Sequence, residues 1–244
     1  MKRILILGAT SAIAQAFCRL HAGPQTSFWL IGRSEARLGA VAADLLARGA
    51  ASVTVRVIAP EDPSDLERAL VEGFDRHEAF DIFLAAQGTL PDQAECEKEP
   101  RLVGEVMRVN TVELMQAALL VAARFEARGV GSCVILGSVA GDRGRRSNYV
   151  YGASKAALDT FCEGLRQRLS PAVQVLFVKP GPVDSPMTAH LAKTPLFTTP
   201  EKVATDITRA LGGKSATLYS PGYWRLIMTI IRLLPRKIVK GLKA

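Results

Sequence analysis

Short apolar runs alternate with helix-forming stretches along most of the chain, and this alternation constrains the fold more than any other feature. Runs of this kind are typical of buried strands, and the longer stretches between them have helical periodicity. Strands joined by helices at this spacing form right-handed βαβ units. The chain is therefore predicted to be an α/β protein with a doubly wound parallel sheet, with strands at 2–7, 28–31, 53–58, 81–85, 133–136 and 173–178 and helices at 15–21, 37–48, 64–76, 101–128 and 148–169.

Length and composition predict a single domain followed by a short tail. The 244 residues are 48% hydrophobic, which is enough for one large core. No repeat or change of composition precedes residue 221, so the predicted domain covers 1–220 and a basic amphipathic tail covers 221–244. Four cysteines without a CxxC pair indicate a reduced, cytoplasmic compartment. The three scattered histidines give no spacing for a metal site.

The positive charge of the chain is concentrated in its tail. Six cations and no acidic residue lie between position 225 and the C-terminus: Arg225, Arg232, Arg236, Lys237, Lys240 and Lys243. Removing these six from the net charge of +8 leaves +2 for residues 1–224. A body with so little excess charge is not built to bind nucleic acid.

A serine, a tyrosine and a lysine in the second half of the chain predict acid–base chemistry. Tyr151 and Lys155 lie four residues apart in a predicted helix and therefore share one face. A lysine ammonium beside a phenol lowers a tyrosine pKa that is ordinarily about 10. Ser138 follows the strand at 133–136, where ligands of open α/β sheets bind. The alternative is that Tyr151 and Lys155 are ordinary surface neighbours.

The first strand ends in a turn of small residues that leads into a helix. This layout places a pyrophosphate against the backbone N–H groups of a helix N-terminus. The residues predicted to form this site are Gly8, Thr10, Ser11, Ala12 and Ile13. The second strand ends at Gly32-Arg33-Ser34, without the acidic residue that would repel a 2′-phosphate. Arg33 therefore favours NADP(H) over NAD(H), unless it only caps a strand end at the surface.

Taken together, these motifs resemble those of the short-chain dehydrogenase/reductases. Gly8, Asn110, Ser138, Tyr151-x-x-x-Lys155 and Pro180-Gly181 occur here in the family's order, over roughly residues 3–190. The resemblance implies a Rossmann fold and NAD(P)-dependent oxidoreductase activity. It also implies a catalytic tetrad in which Ser138 holds a carbonyl, Tyr151 donates a proton, Lys155 lowers the tyrosine pKa and binds the nicotinamide ribose, and Asn110 anchors a water.

The resemblance implies further cofactor contacts, and it also has departures. The additional positions that would contact the cofactor are Asp62, Ala86, Gly88, Pro180, Gly181, Val183 and Ser185. Alanine replaces the family's glycine at Ala12 and Ala14, and Ala85-Ala86-Gln87-Gly88 replaces Asn-Asn-Ala-Gly. The aspartate that would contact adenine is also missing, and Asp62 is the expected substitute. These departures support an alternative reading, a catalytically silent NADP-binding module.

One branch of the family resembles this chain more closely, the decaprenylphosphoryl-2-keto-ribose reductases. The shared segments are Gly8-Ala9-Thr10-Ser11-x-Ile13, Arg143-Gly144-Arg145-Arg146, Ser185-x-Met187-Thr188-Ala189-His190-Leu191 and Arg232-x-x-Pro235-Arg236. This resemblance implies a polyprenyl-phosphate-linked keto sugar as the substrate and a flavin oxidase as the partner. The loop lies between Ser138 and Tyr151, so one or more of Arg143, Arg145 and Arg146 would bind the lipid phosphate, unless the loop is simply solvated. Another lipid or acyl ketone is the alternative substrate.

The tail combines an apolar helical stripe with cations. Leu226, Ile227, Ile230, Ile231 and Leu234 fall on one side of a helix, which is too short to cross a bilayer. The composition of 223–244 predicts a helix that lies on an anionic membrane, with Trp224 at the headgroups. The alternative is a helix that docks on the core or on another subunit. The family resemblance implies a homodimer or homotetramer formed through the two long helices.

Overall fold

Seven parallel strands form one sheet in the order β3-β2-β1-β4-β5-β6-β7. The computed structural model describes residues 1–77, 79–169, 171–214 and 216–235. The strands are β1 Lys2–Leu7, β2 Thr26–Gly32, β3 Ser52–Val57, β4 Ile82–Ala85, β5 Gly131–Leu136, β6 Val173–Pro180 and β7 Thr217–Ser220. The predicted doubly wound α/β fold is confirmed.

Helices cover both faces of the sheet. They are α1 Ala12–His21, α2 Glu35–Ala47, α3 Asp65–His77, α4 Gln93–Lys98, α5 Arg101–Met107, α6 Glu113–Arg128, α7 Tyr149–Arg168, α8 Pro200–Ala210 and α9 Tyr223–Leu233. A π-helical turn at Arg108–Val112 joins α5 to α6. The sequence predictions did not include α4, α8 or β7.

The core consists of two apolar layers, one on each face of the sheet. Alternate residues of β1 belong to different layers: Leu5 packs with Trp29 and Phe125, whereas Ile4 packs with Phe17. A parallel sheet buried on both faces needs strands that are apolar at nearly every position. This requirement explains why the strands appear in the sequence as continuous apolar runs.

The strand order places the ligand crevice. β1 pairs with β2 on one side and with β4 on the other. The strand order reverses between β1 and β4, where the chain crosses from one half of the sheet to the other. Ligands of open α/β sheets bind at the carboxyl ends of the strands beside this reversal. The residues that follow β1, β4, β5 and β6 therefore converge there.

The helix predicted at 101–128 is present as one helical run, in which the π-helical turn lies between α5 and α6. Among the described residues, this helical run is the one that is long and apolar enough to cross a membrane. Its apolar face, however, lies in the protein core, where Leu114, Val121 and Phe125 are buried. The run is therefore best explained as a core helix.

The described part of the tail packs on the body of the protein. Trp224 is 4% exposed and Met228 is fully buried, and the two form one apolar cluster with Val139. The expectation that Trp224 lies at the membrane headgroups is therefore wrong, because its indole is packed against Gly181 instead. Of the tail cations, Arg236, Lys237, Lys240 and Lys243 lie outside the described residues. The division of the chain at residue 221 remains a prediction.

Candidate active site

Ser138 stands at the carboxyl end of β5, next to the crevice. Its Oγ accepts a hydrogen bond of 3.1 Å from the Ala140 N–H, which caps a short 3₁₀ turn at Val139–Gly141. Because this bond uses the oxygen as an acceptor, the hydroxyl proton remains available for donation. A side-chain hydrogen bond links Ser138 to Tyr151. The two hydroxyls can therefore act on one substrate oxygen.

Lys155 lies next to Tyr151 on α7 and is buried. Its Nζ is 5.8 Å from the centroid of the Tyr151 ring and donates a hydrogen bond of 3.1 Å to the Leu136 carbonyl at the end of β5. Burial lowers the pKa of Lys155 to about 8. The ammonium is thus held between the tyrosine and the end of a central strand.

The pKa of Tyr151 differs from the sequence expectation. Burial raises it above the ordinary value, and the hydrogen bond from Ser138 opposes this effect only in part. The expected lowering of the Tyr151 pKa by Lys155 is smaller than the effect of burial, because the Lys155 Nζ faces the tyrosine ring and the Leu136 carbonyl. Tyr151 therefore holds its proton at neutral pH, as a group must do if it is to protonate a more basic oxygen.

Asn110 is fully buried inside the π-helical turn. Its Oδ1 accepts a 2.7 Å hydrogen bond from the Thr89 N–H, and its Nδ2 donates to the Thr89 carbonyl at 2.8 Å and to Ser154 Oγ at 3.3 Å. Both N–H donors are therefore used. Asn110 ties the loop after β4 to α7, and π-helical turns are frequent at functional sites. Its water-anchoring role remains a prediction.

Gly88 completes the contact between these elements. A Cβ atom at this position would lie 3.3 Å from Asn110 Oδ1 and 3.6 Å from Lys155 Nζ. Gly88, Asn110 and Lys155 therefore meet at one point, although they come from three separate segments. Ala86, two residues earlier, donates its backbone N–H to the Leu7 carbonyl and so extends the pairing of β4 with β1 by one hydrogen bond.

The turn after β1 has the geometry of an anion site. Gly8 has φ +79°, and a Cβ there would lie 2.4 Å from the Gln87 backbone nitrogen, so only glycine fits. Ser11 precedes α1 and makes no side-chain cap. Ala12 and Ile13 begin the helix, so its first N–H groups point at the space beyond the turn. These residues fit a pyrophosphate.

A crevice beside this turn would receive the adenosine end of a dinucleotide. It is lined by Arg33, Asp62, Gln87 and Arg108, among others. Arg33 is exposed and has no ion-pair partner within the described ranges. Asp62 instead pairs with Arg68 at 2.6 Å, and this hydrogen bond is the largest of the effects that lower its pKa to about 2. Among the described residues that line the crevice, Arg33 is therefore the cation without a carboxylate partner.

Sequence reasoning did not assign roles to Arg108 and Gln87. Arg108 pairs with Glu113 and donates to the Pro60 carbonyl, and Gln87 donates to the Val109 carbonyl at 3.1 Å. Gln87 thus connects the unusual Ala85-Ala86-Gln87-Gly88 segment to the π-helical turn. The only signal available for Gln87 was its departure from the family pattern.

The loop after β6 would surround the nicotinamide. Pro180 ends the strand, and Gly181 donates its N–H to the Ser220 carbonyl at 3.0 Å. Val183 is buried and forms a parallel bridge with Thr198. Ser185 caps a 3₁₀ turn at Pro186–Thr188. The loop is therefore held by its own hydrogen bonds.

The three arginines of the basic loop do not form one cluster. Arg143 donates to the Arg232 carbonyl at 3.3 Å and to the Leu234 carbonyl at 3.2 Å, so it caps the C-terminal end of α9. Arg145 lies under α9, 3.7 Å from Met228 Sδ, and burial lowers its pKa. Arg146 is exposed. Of the three candidates for a phosphate, Arg143 is therefore excluded, because its guanidinium is used by the carbonyls at the end of α9.

A buried ion pair behind the loop was also missed. Lys179 donates to Asp142 and, at 2.7 Å, to Asp159, and the Tyr219 hydroxyl donates to Asp142 at 2.7 Å. Burial alone would lower the pKa of Lys179, but the hydrogen bonds to the two carboxylates outweigh burial and raise it. The pair joins the segment between Ser138 and Tyr151 to the end of β6. No cluster of metal-ligating side chains occurs in the parts of the chain that the structure describes.

Comparisons with known proteins are consistent with this site. An uncharacterised oxidoreductase of Streptomyces coelicolor is 37% identical over 243 residues, which cover 99% of this chain and 96% of that protein. One from Mycobacterium tuberculosis is 33% identical over 234 residues, which cover 96% and 94%. The crystallised short-chain dehydrogenase of Sphingobium yanoikuyae, in complex with NADPH, has a TM-score of 0.81 at 20% identity and matches 100% of this chain and 99% of its own.

The family that these similarities point to matches most of the sequence. Its description is short chain dehydrogenase, and it matches residues 2–196, from the first strand to the loop after Ser185. The matched range contains Asn110, Ser138, Tyr151 and Lys155. The chain therefore belongs to the short-chain dehydrogenase family of NAD(P)-dependent oxidoreductases.

Proposed function

We propose that the protein reduces a ketone to an alcohol with NADPH. The observation that carries the proposal is the meeting of Ser138, Tyr151 and Lys155 at the crevice edge of the sheet. Tyr151 is half-buried there, and its raised pKa keeps it protonated at neutral pH. A protonated tyrosine next to a second hydroxyl suits the reductive direction, in which the product oxygen gains a proton. The start of α1, which has no side-chain cap, supports NADP(H) as the cofactor, and so does Arg33, which has no ion-pair partner among the described residues.

Each residue of the site would have its own role in the reaction. Bound NADPH supplies the hydride. Ser138 orients the carbonyl oxygen, and Tyr151 donates its proton to that oxygen as negative charge develops. Lys155 stabilises the remaining phenolate and holds the nicotinamide ribose. Asn110 holds Thr89 and Ser154 in place through its hydrogen bonds. It would also anchor the water that returns a proton to Tyr151.

The proposed substrate is the 2-keto group of a polyprenyl-phosphate-linked sugar, and a flavin oxidase is the proposed partner that supplies it. The support is the resemblance to the decaprenylphosphoryl-2-keto-ribose reductases. Arg146, which is exposed, and Arg145, which is half-buried under α9, are the arginines proposed to bind the lipid phosphate. Another lipid or acyl ketone remains the rival substrate. It predicts that Arg146→Ala leaves the KM for every ketone unchanged.

The experiment is NADPH oxidation with oxidised polyprenyl-phosphoryl ribose, beside a neutral ketone of similar size. Turnover of the lipid-linked sugar at a lower KM than the neutral ketone supports the proposed substrate. Tyr151→Phe is the control variant, because it removes the proton donor and leaves the ring. If wild-type protein and Tyr151→Phe are equally inactive with every ketone yet bind NADPH, the silent-module alternative replaces the proposal.

The proposed location is the cytoplasm, with a peripheral contact at the inner membrane face through 223–244. We also propose a homodimer or homotetramer formed through α6 and α7. The support on α6 is its exposed apolar residues, of which Leu119 is 47% exposed. Sedimentation velocity of Leu119→Glu tests the assembly. A species of unchanged mass would argue against this interface.

A further inference from the structure

Helix α9 has two apolar faces, and only one of them is used by the fold. The inner face consists of Trp224 and Met228, which are buried against Val139. The outer face consists of Leu226, Ile230 and Leu233, which are 67%, 53% and 79% exposed. Their spacing of four and three residues places them in one line along the helix. An exposed apolar line of this kind indicates an interaction surface.

The inner face attaches α9 firmly to the active-site loops. Val139 directly follows Ser138, and a Cβ on Gly181 would lie only 1.9 Å from the Trp224 indole nitrogen. Arg143 holds the other end of the helix through the Arg232 carbonyl. The outer face of α9 is therefore held in a fixed position relative to the mouth of the crevice. Whatever binds this face lies next to the active site.

The charges around the outer face distinguish between the possible occupants. Arg225 and Arg232 are exposed and form no ion pair with any residue that the structure describes. The segment after α9 adds four more cations, and no acidic residue occurs from 225 to 244. In a symmetric contact between two copies, these like charges would face one another and repel. An anionic surface of lipid headgroups matches both the apolar line and the cations.

We propose that the outer face of α9 is a docking surface for an anionic lipid bilayer. Leu226, Ile230 and Leu233 insert between the headgroups, and Arg225 and Arg232 lie at the phosphates. Docking holds the crevice mouth against the bilayer, where a lipid-linked ketone can reach it from the membrane. This proposal names the residues of the membrane contact, and it takes the lipid-linked substrate from the proposed function, on which that part rests. The docking itself does not depend on which ketone is reduced.

The test is co-sedimentation of the full chain with vesicles of phosphatidylcholine and phosphatidylglycerol. Leu226→Ser combined with Leu233→Ser should weaken binding by roughly tenfold or more, because two inserting side chains are lost. The matched control is Leu20→Ser combined with Leu46→Ser, on α1 and α2, whose leucines are 52% and 50% exposed. The control should bind like the wild type. High salt should weaken binding, since part of the attraction is electrostatic.

Three results would overturn the docking surface. The first is a wild type that does not sediment with anionic vesicles. The second is equal binding by the α9 double variant and the control double variant. The third is an α9 double variant whose oligomer mass differs from that of the wild type, which would make this face a subunit contact. Circular dichroism melting confirms that each variant is folded. NADPH oxidation with a soluble neutral ketone is measured in parallel. A wild type that reduces the ketone but does not bind the vesicles rejects the docking alone, and a wild type that binds the vesicles but reduces no ketone rejects the proposed reaction alone.

Discussion

Replacing Lys179 by methionine should destabilise the protein strongly. The Lys179 side chain is 4% exposed and that of Asp142 is 1% exposed. Methionine has a similar length but no charge, so the Asp142 carboxylate is left buried and keeps, of its side-chain partners in the described structure, the Tyr219 hydroxyl. Breaking a buried ion pair by removing one partner costs about 3–5 kcal/mol. For a chain of this size, that loss lowers the melting temperature by roughly 6–20 °C.

The assay is thermal and urea unfolding of the wild type and of three variants. Asp159→Asn is the matched control, because the Asp159 side chain is 37% exposed and a partly solvated pair contributes only about 0–1 kcal/mol. Lys179→Met combined with Asp142→Asn removes both charges and should recover much of the loss. A Lys179→Met protein within about 1 kcal/mol of the wild type, or a double variant no more stable than Lys179→Met, would refute this reasoning.

Three further predictions concern the site. Arg33→Ala should raise the KM for NADPH by roughly tenfold to a hundredfold, because a charge-assisted hydrogen bond is lost; an equal rise for NADH would contradict the 2′-phosphate role. Gly181→Ala should lower the melting temperature, because its Cβ would lie 1.9 Å from the Trp224 indole nitrogen; unchanged unfolding would show that the indole can move. The Lys155 ammonium should be lost as the pH rises through its pKa of about 8, so kcat/KM should fall above that pH; a flat pH profile would count against its role.

The local features of this protein could be predicted from the sequence. Strand β1 is buried on both faces, so it appears as an unbroken apolar run in any context. Gly8 ends this run, and small residues lead into α1, so the turn could be assigned without coordinates. The four-residue spacing of Tyr151 and Lys155 places them on one face of any helix. Hydrophobic periodicity and helical spacing are properties of neighbouring residues.

The pKa of Tyr151 could not be predicted from that spacing. The sequence places an ammonium near the phenol, but only the packed structure decides how deeply the phenol is buried. It also decides that Lys155 donates to the Leu136 carbonyl. Burial raises the tyrosine pKa, and this effect exceeds the expected influence of the lysine.

Contacts between distant parts of the chain account for the other differences. The helix predicted at 101–128 contains a π-helical turn, in which Asn110 bonds to Thr89 and Ser154. Helix α9 is apolar on two sides, so its sequence could not show that Trp224 faces Gly181 rather than a membrane. Periodicity determines which residues of an element share a face, whereas the order of the strands determines which distant segments meet that face. The sequence therefore predicted the elements and the acid–base residues, and only the tertiary structure decided what surrounds them.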